Sequence, residues 1–239
     1  MGHNLVTRLS MLTRLRAAVW RSPDGLLWRW TEPLTIRSRA AKFELFLRQV
    51  GADPAYRVLD VGGGSDEARG GNYFEQHYPY RERMVTCIYG AGAELEAFRR
   101  HHPEIAVVAG DGCHLPFRND AFDVVVSNAV IEHVGLREQQ RAFLAELMRV
   151  APRVFLATPN LWFPVDTHTL VPLAHYFAPR LRFPIYRWLG RGYWASLAHL
   201  NLLSASDLLD LVPPGVQSKL VRLRLLGITH SLVLILKKA

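Results

Sequence analysis

Cysteine and lysine are both scarce in this chain of 239 residues. Its two cysteines, Cys87 and Cys113, are too few for a disulfide framework. Cys87 also falls in an apolar run that reads as a strand, so a reducing compartment is expected. Lysine supplies only Lys42, Lys219, Lys237 and Lys238 among 29 basic residues. Arginine use this heavy can follow from a GC-rich genome, so it does not by itself indicate RNA binding. No apolar run approaches the roughly 18 residues of a membrane span. The first residues lack the long uncharged stretch of a secretory signal. Repeats and low-complexity tracts are missing, and so is a GxxxxGK[ST] run, which excludes a P-loop.

What remains is ordinary in bulk. With 49% hydrophobic and 21% charged residues, the chain has the composition of one good-sized globular domain with an appendage. A formal net charge of +8 favours an anionic partner surface, either nucleic acid or acidic lipid.

The informative stretch is VLDVGGG at 58–64. Val58, Leu59 and Val61 make a short apolar strand around Asp60. Gly62, Gly63 and Gly64 make a turn free of side chains, and a helix is expected from about Glu67. A strand, a glycine turn and a helix start hold nucleotide-like ligands in α/β proteins. The dinucleotide fingerprint requires a glycine at the sixth position of the turn, and here Glu67 stands there. Asp66 and Glu67 suit the helix dipole but repel phosphate. The turn therefore suits a ligand with a cationic centre and no phosphates. S-adenosylmethionine, with its sulfonium and α-ammonium, fits.

Periodicity places an amphipathic helix over 5–21, with Leu5, Leu9, Leu12, Leu15 and Val19 on one face, and a second helix over 38–49. Strand-like runs at 56–61, 83–89, 105–109, 122–127 and 153–157 then alternate with helices at 67–77, 92–101 and 136–149. That alternation implies an α/β fold with a parallel sheet and right-handed crossovers. Residues 158–203 break the rhythm and read as an insertion. Ser206 is expected to cap a helix over 207–212, stopped by Pro213 and Pro214. Strands over 218–226 and 228–236, split at Gly227, are too closely linked to be anything but antiparallel. The division expected is an N-terminal helical segment over 1–37 and one domain over 38–239.

Four stretches together resemble the class I S-adenosylmethionine-dependent methyltransferases, within the type 11 domain group. They are VLDVGGG (58–64), GDGCHLPFRNDAFDVVVSNAVIEHV (110–134), RVFLATPN (153–160) and the terminal hairpin. The second is the most specific. The resemblance covers about residues 38–160 well and 204–236 loosely. It implies a Rossmann-like three-layer sandwich around a seven-stranded, mostly parallel sheet with an antiparallel last strand. It also implies S-adenosylmethionine as cofactor. Gly62, Gly63 and Gly64 would pack against its methionine part and ribose, with Asp60 orienting that turn. Asp111, Gly112 and Cys113 would lie at the adenine. Asn128 and Ala129 would line the methionine moiety. One departure stands out. The family's ribose-binding acid at the end of the second strand is replaced by Tyr89, whose neutral hydrogen bond would weaken binding by roughly ten-fold. Glu94, one helical turn on, is a possible substitute.

Methyl transfer needs alignment and removal of one proton. Alignment can account for about 7–11 kcal/mol of barrier, and a general base adds two to four orders of magnitude. His133 and His168 are the candidate bases, with Glu132 and Asp166 as orienting partners for the imidazoles. No metal is expected. Asn128-Ala129-Val130-Ile131 is not the Asn/Asp-Pro-Pro-aromatic run of base-amine methylation, which counts against base amines though not against every nucleic-acid substrate, and nucleic acid is not the expected partner. In the insertion, Trp162, Phe163, Tyr176, Phe177, Phe183, Tyr186, Trp188, Tyr193 and Trp194 sit among Arg180, Arg182, Arg187 and Arg191. Rings beside guanidinium groups suit a headgroup layer. The N-terminal helix, with Trp20, Trp28 and Trp30 nearby, has the same character. The expectation is a cytoplasmic enzyme, peripheral at an anionic membrane, methylating a small or lipid-like acceptor at oxygen. A cofactor-poor scaffold on the same fold is the alternative, and an RNA methyltransferase is a further one.

Overall fold

The computed structural model describes residues 26–64, 71–90 and 92–238, with side chains from residue 32 onward. The amphipathic helix expected over 5–21, with Trp20, and the helix start at Asp66 and Glu67 lie outside the described residues; of Trp28 and Trp30 only the backbone is described.

Helix α1 (Leu26–Gln49) leads into β1 (Val58–Val61), α2 (Tyr73–His77), β2 (Met84–Ile88), α3 (Ala93–His101), β3 (Ala106–Ala109) and β4 (Val124–Asn128). Then follow α4 (Arg137–Val150), β5 (Arg153–Pro159), α5 (Pro179–Trp188), α6 (Ala205–Leu209), β6 (Gln217–Leu225) and β7 (Ile228–Lys237). One seven-stranded sheet has the order β3-β2-β1-β4-β5-β7-β6. Strands β1 to β5 pair in parallel, and β7 pairs antiparallel to both β5 and β6. Only β7 is therefore reversed, as the terminal hairpin implied. The hairpin turns at Leu226 and Gly227, both with positive φ (49° and 81°), the conformation a two-residue link between twisted strands requires.

Strand alternation builds the two outer layers. Leu59, Val61, Val125, Val154 and Leu156 face α4, where Phe143, Leu144 and Leu147 are fully buried. Val58, Val124, Val126 and Phe155 face the other side, with Leu45 and Phe46 of α1 and Leu95 and Phe98 of α3. Phe46 anchors α1, with ring centroids 4.8 Å from Phe74 and 5.5 Å from Phe155. Burying a ring of this kind contributes on the order of 2–3 kcal/mol. Asp60 shares its side of β1 with Val58, so its carboxyl points toward α1 and α2.

Two helix limits differ from expectation. The helix placed at 38–49 begins at Leu26 and carries Pro33 within it, so it crosses the 37/38 line between the two expected segments. Ser204, not Ser206, caps α6. Its hydroxyl accepts the Asp207 N–H (3.2 Å), and the Asp207 carboxylate accepts the Ser204 N–H (2.9 Å). The reciprocal Ser-x-x-Asp pair outweighs a lone serine nearer the expected start.

The insertion after β5 forms no βα unit. It folds around its own small cluster of Val171, Ala174, Tyr186 and Ala195, with Phe183 and Trp194 against it. A backbone bond from Asn201 N–H to Glu132 C=O (2.8 Å) ties it to the turn after β4, one from Asn160 N–H to His230 C=O (3.0 Å) ties it to β7, and one from Leu161 N–H to Leu203 C=O (2.9 Å) closes its two ends on each other.

Candidate active site

Strand order reverses between β1 and β4, since β2 and β3 continue to one side and β5 to the other. Ligands of parallel sheets sit outside the carboxyl ends of the strands at such a point. A cavity of about 310 Å³ lies there, lined by Asp60, the Gly62–Gly64 turn, Asn128 and Ala129. Arg39, Lys42 and Phe43 of α1, Asn72 and Glu75, and His168 of the insertion are also among its lining.

The turn is held by the chain's own atoms. Gly62 has φ +102°, and its N–H donates to Cys87 C=O at 2.9 Å. A Cβ there would sit 2.1 Å from Val130 Cγ2, and one on Gly63 would sit 2.3 Å from Thr86 Cγ2. Asn72 clamps Gly64, accepting its N–H (3.2 Å) and donating to its C=O (2.7 Å). Ala129, with φ +59°, is a left-handed residue without the freedom of glycine. Its N–H donates to Ala157 C=O at 2.8 Å, which holds the strained backbone in place.

Charges of both signs meet in this cavity. Asp60 and Glu75 are both buried. Burial, and then the neighbouring Glu75 carboxyl, push the Asp60 pKa well above the usual carboxylate range. Two such acids accept a cationic group readily, because it relieves both their desolvation and their mutual repulsion. Burial lowers Lys42 to about 8, and its ammonium donates to Asn128 Oδ1 at 2.9 Å. Sequence reading missed Arg39, Lys42, Asn72 and Glu75. Lys42 had one visible signal, a lysine in a chain that otherwise prefers arginine.

The adenine-side residues lie at the ends of β2 and β3, outside the cavity walls. Tyr89 is 78% exposed. Glu94 Oε2 comes within 3.5 Å of where a Gly90 Cβ would sit, so its carboxylate reaches the turn that Tyr89 begins. The Asp111 carboxylate accepts the Cys113 N–H (2.8 Å) and lies 3.3 Å from His114 Nδ1. A Cβ on Gly112 would meet Phe143 at 2.5 Å. Cys87 and Cys113 are free and buried, each thiol pushed up to about 11, chiefly by burial.

The two histidines, 35 residues apart, come together. His133 Nε2 lies 2.9 Å from His168 Nε2. His133 Nδ1 donates to His199 C=O (2.8 Å), and His168 Nδ1 lies 2.9 Å from Asp166 Oδ1. Burial lowers the His133 pKa. Burial acts the same way on His168, but the bond to Asp166 and the charges of Asp166 and Glu132 outweigh it and raise the value. Glu132, fully buried, accepts the Thr158 hydroxyl through Oε2 at 2.9 Å. Of the partners expected, Asp166 binds His168 directly, while Glu132 lies 3.8–4.0 Å from both rings.

The aromatic insertion divides. Tyr186 is buried, and Phe183 and Trp194 pack beside it. Trp162, Trp188 and Tyr193 are each more than 60% exposed, and Phe177 is 51% exposed. Among the described residues no helix is long and apolar enough to cross a membrane.

Residues 59–153 match the family described as a methyltransferase domain. The demethylmenaquinone methyltransferase of Renibacterium salmoninarum is 34% identical over 106 residues, covering 44% of this chain and 41% of that protein. The one from Streptomyces avermitilis is 33% identical over 110 residues, covering 43% and 41%. The chain thus spans about two fifths of the length of the curated relatives it matches. Among solved structures, magnesium protoporphyrin IX methyltransferase from Synechocystis, with bound S-adenosylhomocysteine, superposes with a TM-score of 0.58 at 12% identity. That superposition covers 98% of this chain and 95% of that one. The 1,6-didemethyltoxoflavin-N1-methyltransferase of Burkholderia thailandensis superposes with a TM-score of 0.56 at 14% identity, over 87% and 80% of the two chains. These likenesses establish the fold.

Proposed function

We propose that this chain, a class I methyltransferase in its fold and its central segment, methylates a lipid-like small-molecule acceptor with S-adenosylmethionine. The observation that carries the reading is the cavity at the β1/β4 switch point, where the glycine turn, two buried acids, Lys42 and Arg39 face one space. A zwitterionic amino-acid moiety matches that mixture of charges. Asp60 and Glu75 take the ammonium, while Lys42 and Arg39 take the carboxylate. Asp111 and the backbone of Gly112 and Cys113 take the adenine, and Tyr89 or Glu94 the ribose. Bound there, the cofactor supplies a methyl group on a sulfonium, a strong electrophile with a neutral leaving group.

The chain's own residues do the rest. Asn128 is oriented by Lys42 and lines the methionine end. His168 lies on the cavity wall, hydrogen-bonded to Asp166 and set against His133, so the acceptor's reacting hydroxyl is met at this pair. Positioning supplies the larger part of the acceleration. The exposed rings of the insertion, and a second cavity of about 270 Å³ lined by Trp162, Tyr176, Phe177 and Tyr186, support an amphiphilic acceptor. Relatives named for demethylmenaquinone support the same class. Transfer to oxygen and residence at an anionic membrane surface belong to this reading.

Calorimetry with S-adenosylmethionine and S-adenosylhomocysteine tests it. Saturable one-to-one binding, lost in Asp60→Ala, is expected. No heat of binding at millimolar cofactor would favour the scaffold alternative, for which Tyr89 is the observation.

A further inference from the structure

We propose that Glu132, His133 and His168 form a binding site for one divalent transition-metal ion, open toward the cavity. The carbonyl of His199 can only accept, so the 2.8 Å contact places a proton on His133 Nδ1. Asp166 accepts the N–H groups of His168 (3.2 Å) and Thr169 (2.8 Å), and its carboxylate takes a third bond from His168 Nδ1 (2.9 Å). In their neutral forms both imidazoles therefore present an unprotonated Nε2, and these two atoms lie 2.9 Å apart. Beside them is Glu132 Oε1, in a fully buried side chain and without a hydrogen-bond partner.

Such an arrangement needs a positive charge in its centre. A single shared proton satisfies the two nitrogens but leaves Glu132 Oε1 3.8 Å and 4.0 Å away. A metal ion satisfies all three. Given separations of 2.9, 3.8 and 4.0 Å, the point equidistant from the three donor atoms lies about 2.1 Å from each. That is the bond length of zinc to imidazole nitrogen and carboxylate oxygen. The surroundings match as well. Each imidazole gives its other N–H to an oxygen, Asp166 for one and a backbone carbonyl for the other, as ligating histidines do. Thr158 holds the second carboxylate oxygen. The Trp194 ring lies 5.4 Å from the His133 ring and 5.2 Å from the His168 ring.

Two imidazoles and one carboxylate suit zinc, iron, cobalt or manganese rather than magnesium or calcium. Three protein donors leave at least one position open. Because His168 lines the main cavity, the open position suits an acceptor offering one or two oxygen atoms, such as a phenol, catechol or enol. The ion would lower the pKa of that hydroxyl, whose proton passes to water. Binding of the ion stands on the donor geometry alone; its use on the acceptor rests on the methyl-transfer reading.

The test uses the full chain after dialysis against chelator. Zinc and cobalt(II) are titrated by calorimetry, and cobalt is also followed by its visible absorption. One equivalent should bind, with the absorption of a four- or five-coordinate nitrogen and oxygen site. His168→Asn and Glu132→Gln should each lose that spectrum while keeping the wild-type far-ultraviolet circular dichroism. Asp166→Asn, a positioning change, should weaken binding by about 10–100-fold. Absence of saturable binding to the wild-type chain overturns the proposal. So does a spectrum unchanged in both variants, or a thiolate-to-cobalt charge-transfer band, which would assign the ion to cysteine. S-adenosylhomocysteine titrated into the same samples separates the two readings. Cofactor binding without metal binding removes this site alone, and metal binding without cofactor binding removes the methyl-transfer reading alone.

Discussion

Replacing Gly62 by alanine tests the physical account of the glycine turn most directly. Two penalties act at once. A φ of +102° strains any residue with a Cβ, by about 1–3 kcal/mol. The added methyl also falls 2.1 Å from Val130 Cγ2, an overpacking that costs about 1–3 kcal/mol more. Gly62→Ala should therefore destabilise the fold by about 2–6 kcal/mol. Gly51→Ala is the reference, because φ there is +85° but nothing lies within 4 Å of the new Cβ. It should show the strain alone, about 1–3 kcal/mol. Val130→Ala in the Gly62→Ala background removes the obstructing methyls. The double variant should be more stable than the sum of the single effects by the clash portion, about 1–3 kcal/mol. Urea denaturation followed by circular dichroism reads the wild type, the Gly62→Ala, Gly51→Ala and Val130→Ala single variants, and the double variant. A coupling energy below about 0.5 kcal/mol would refute the claim that Val130 dictates glycine at position 62.

Three further outcomes follow from the same site. Asp60 keeps its proton in the fold at pH values where the unfolded chain, with a carboxyl near pKa 3.9, has lost it. The folded state then binds more protons, so Asp60 makes stability fall as pH rises from about 4 toward its raised folded pKa. Asp60→Asn should flatten that fall in urea midpoints, and an unchanged pH slope would contradict the buried-acid account. Tyr89→Asp restores a charged acceptor at the ribose side and should tighten S-adenosylhomocysteine about ten-fold by calorimetry, whereas Tyr89→Phe should change it little; equal affinities in all three would place the ribose elsewhere. Trp188→Glu with Tyr193→Glu should abolish co-flotation with anionic liposomes while leaving cofactor affinity intact, and flotation equal to that of wild type would take the exposed rings out of any membrane role.

Local chemistry made much of this molecule legible. The strands were readable because runs such as VLDV, VVVSN and RVFLATP are apolar and bounded by turn residues, and the reversed β7 because only Leu226 and Gly227 separate it from β6. The turn at Gly62 was readable for the same reason, since its conformation is set by residues next to it. Cap geometry was harder. Ser204 and Ser206 are both plausible caps, and the choice fell to Asp207, placed three residues after Ser204.

Sequence by itself thus determined the fold class, the glycine turn and the two histidines worth attention. Tertiary structure alone decided what those groups face. Asp60 acquires Glu75 as a neighbour and Asn128 acquires Lys42 because α1 and α2 pack across the side of β1 that carries Val58. His133 and His168 read as separate candidate bases 35 positions apart. Only the fold of the insertion back onto the end of β4 turns their nitrogens toward each other beside Glu132. The physical reason is range. A turn or a strand is chosen by neighbours within a few residues, whereas a buried charge is defined by whatever distant segment closes over it.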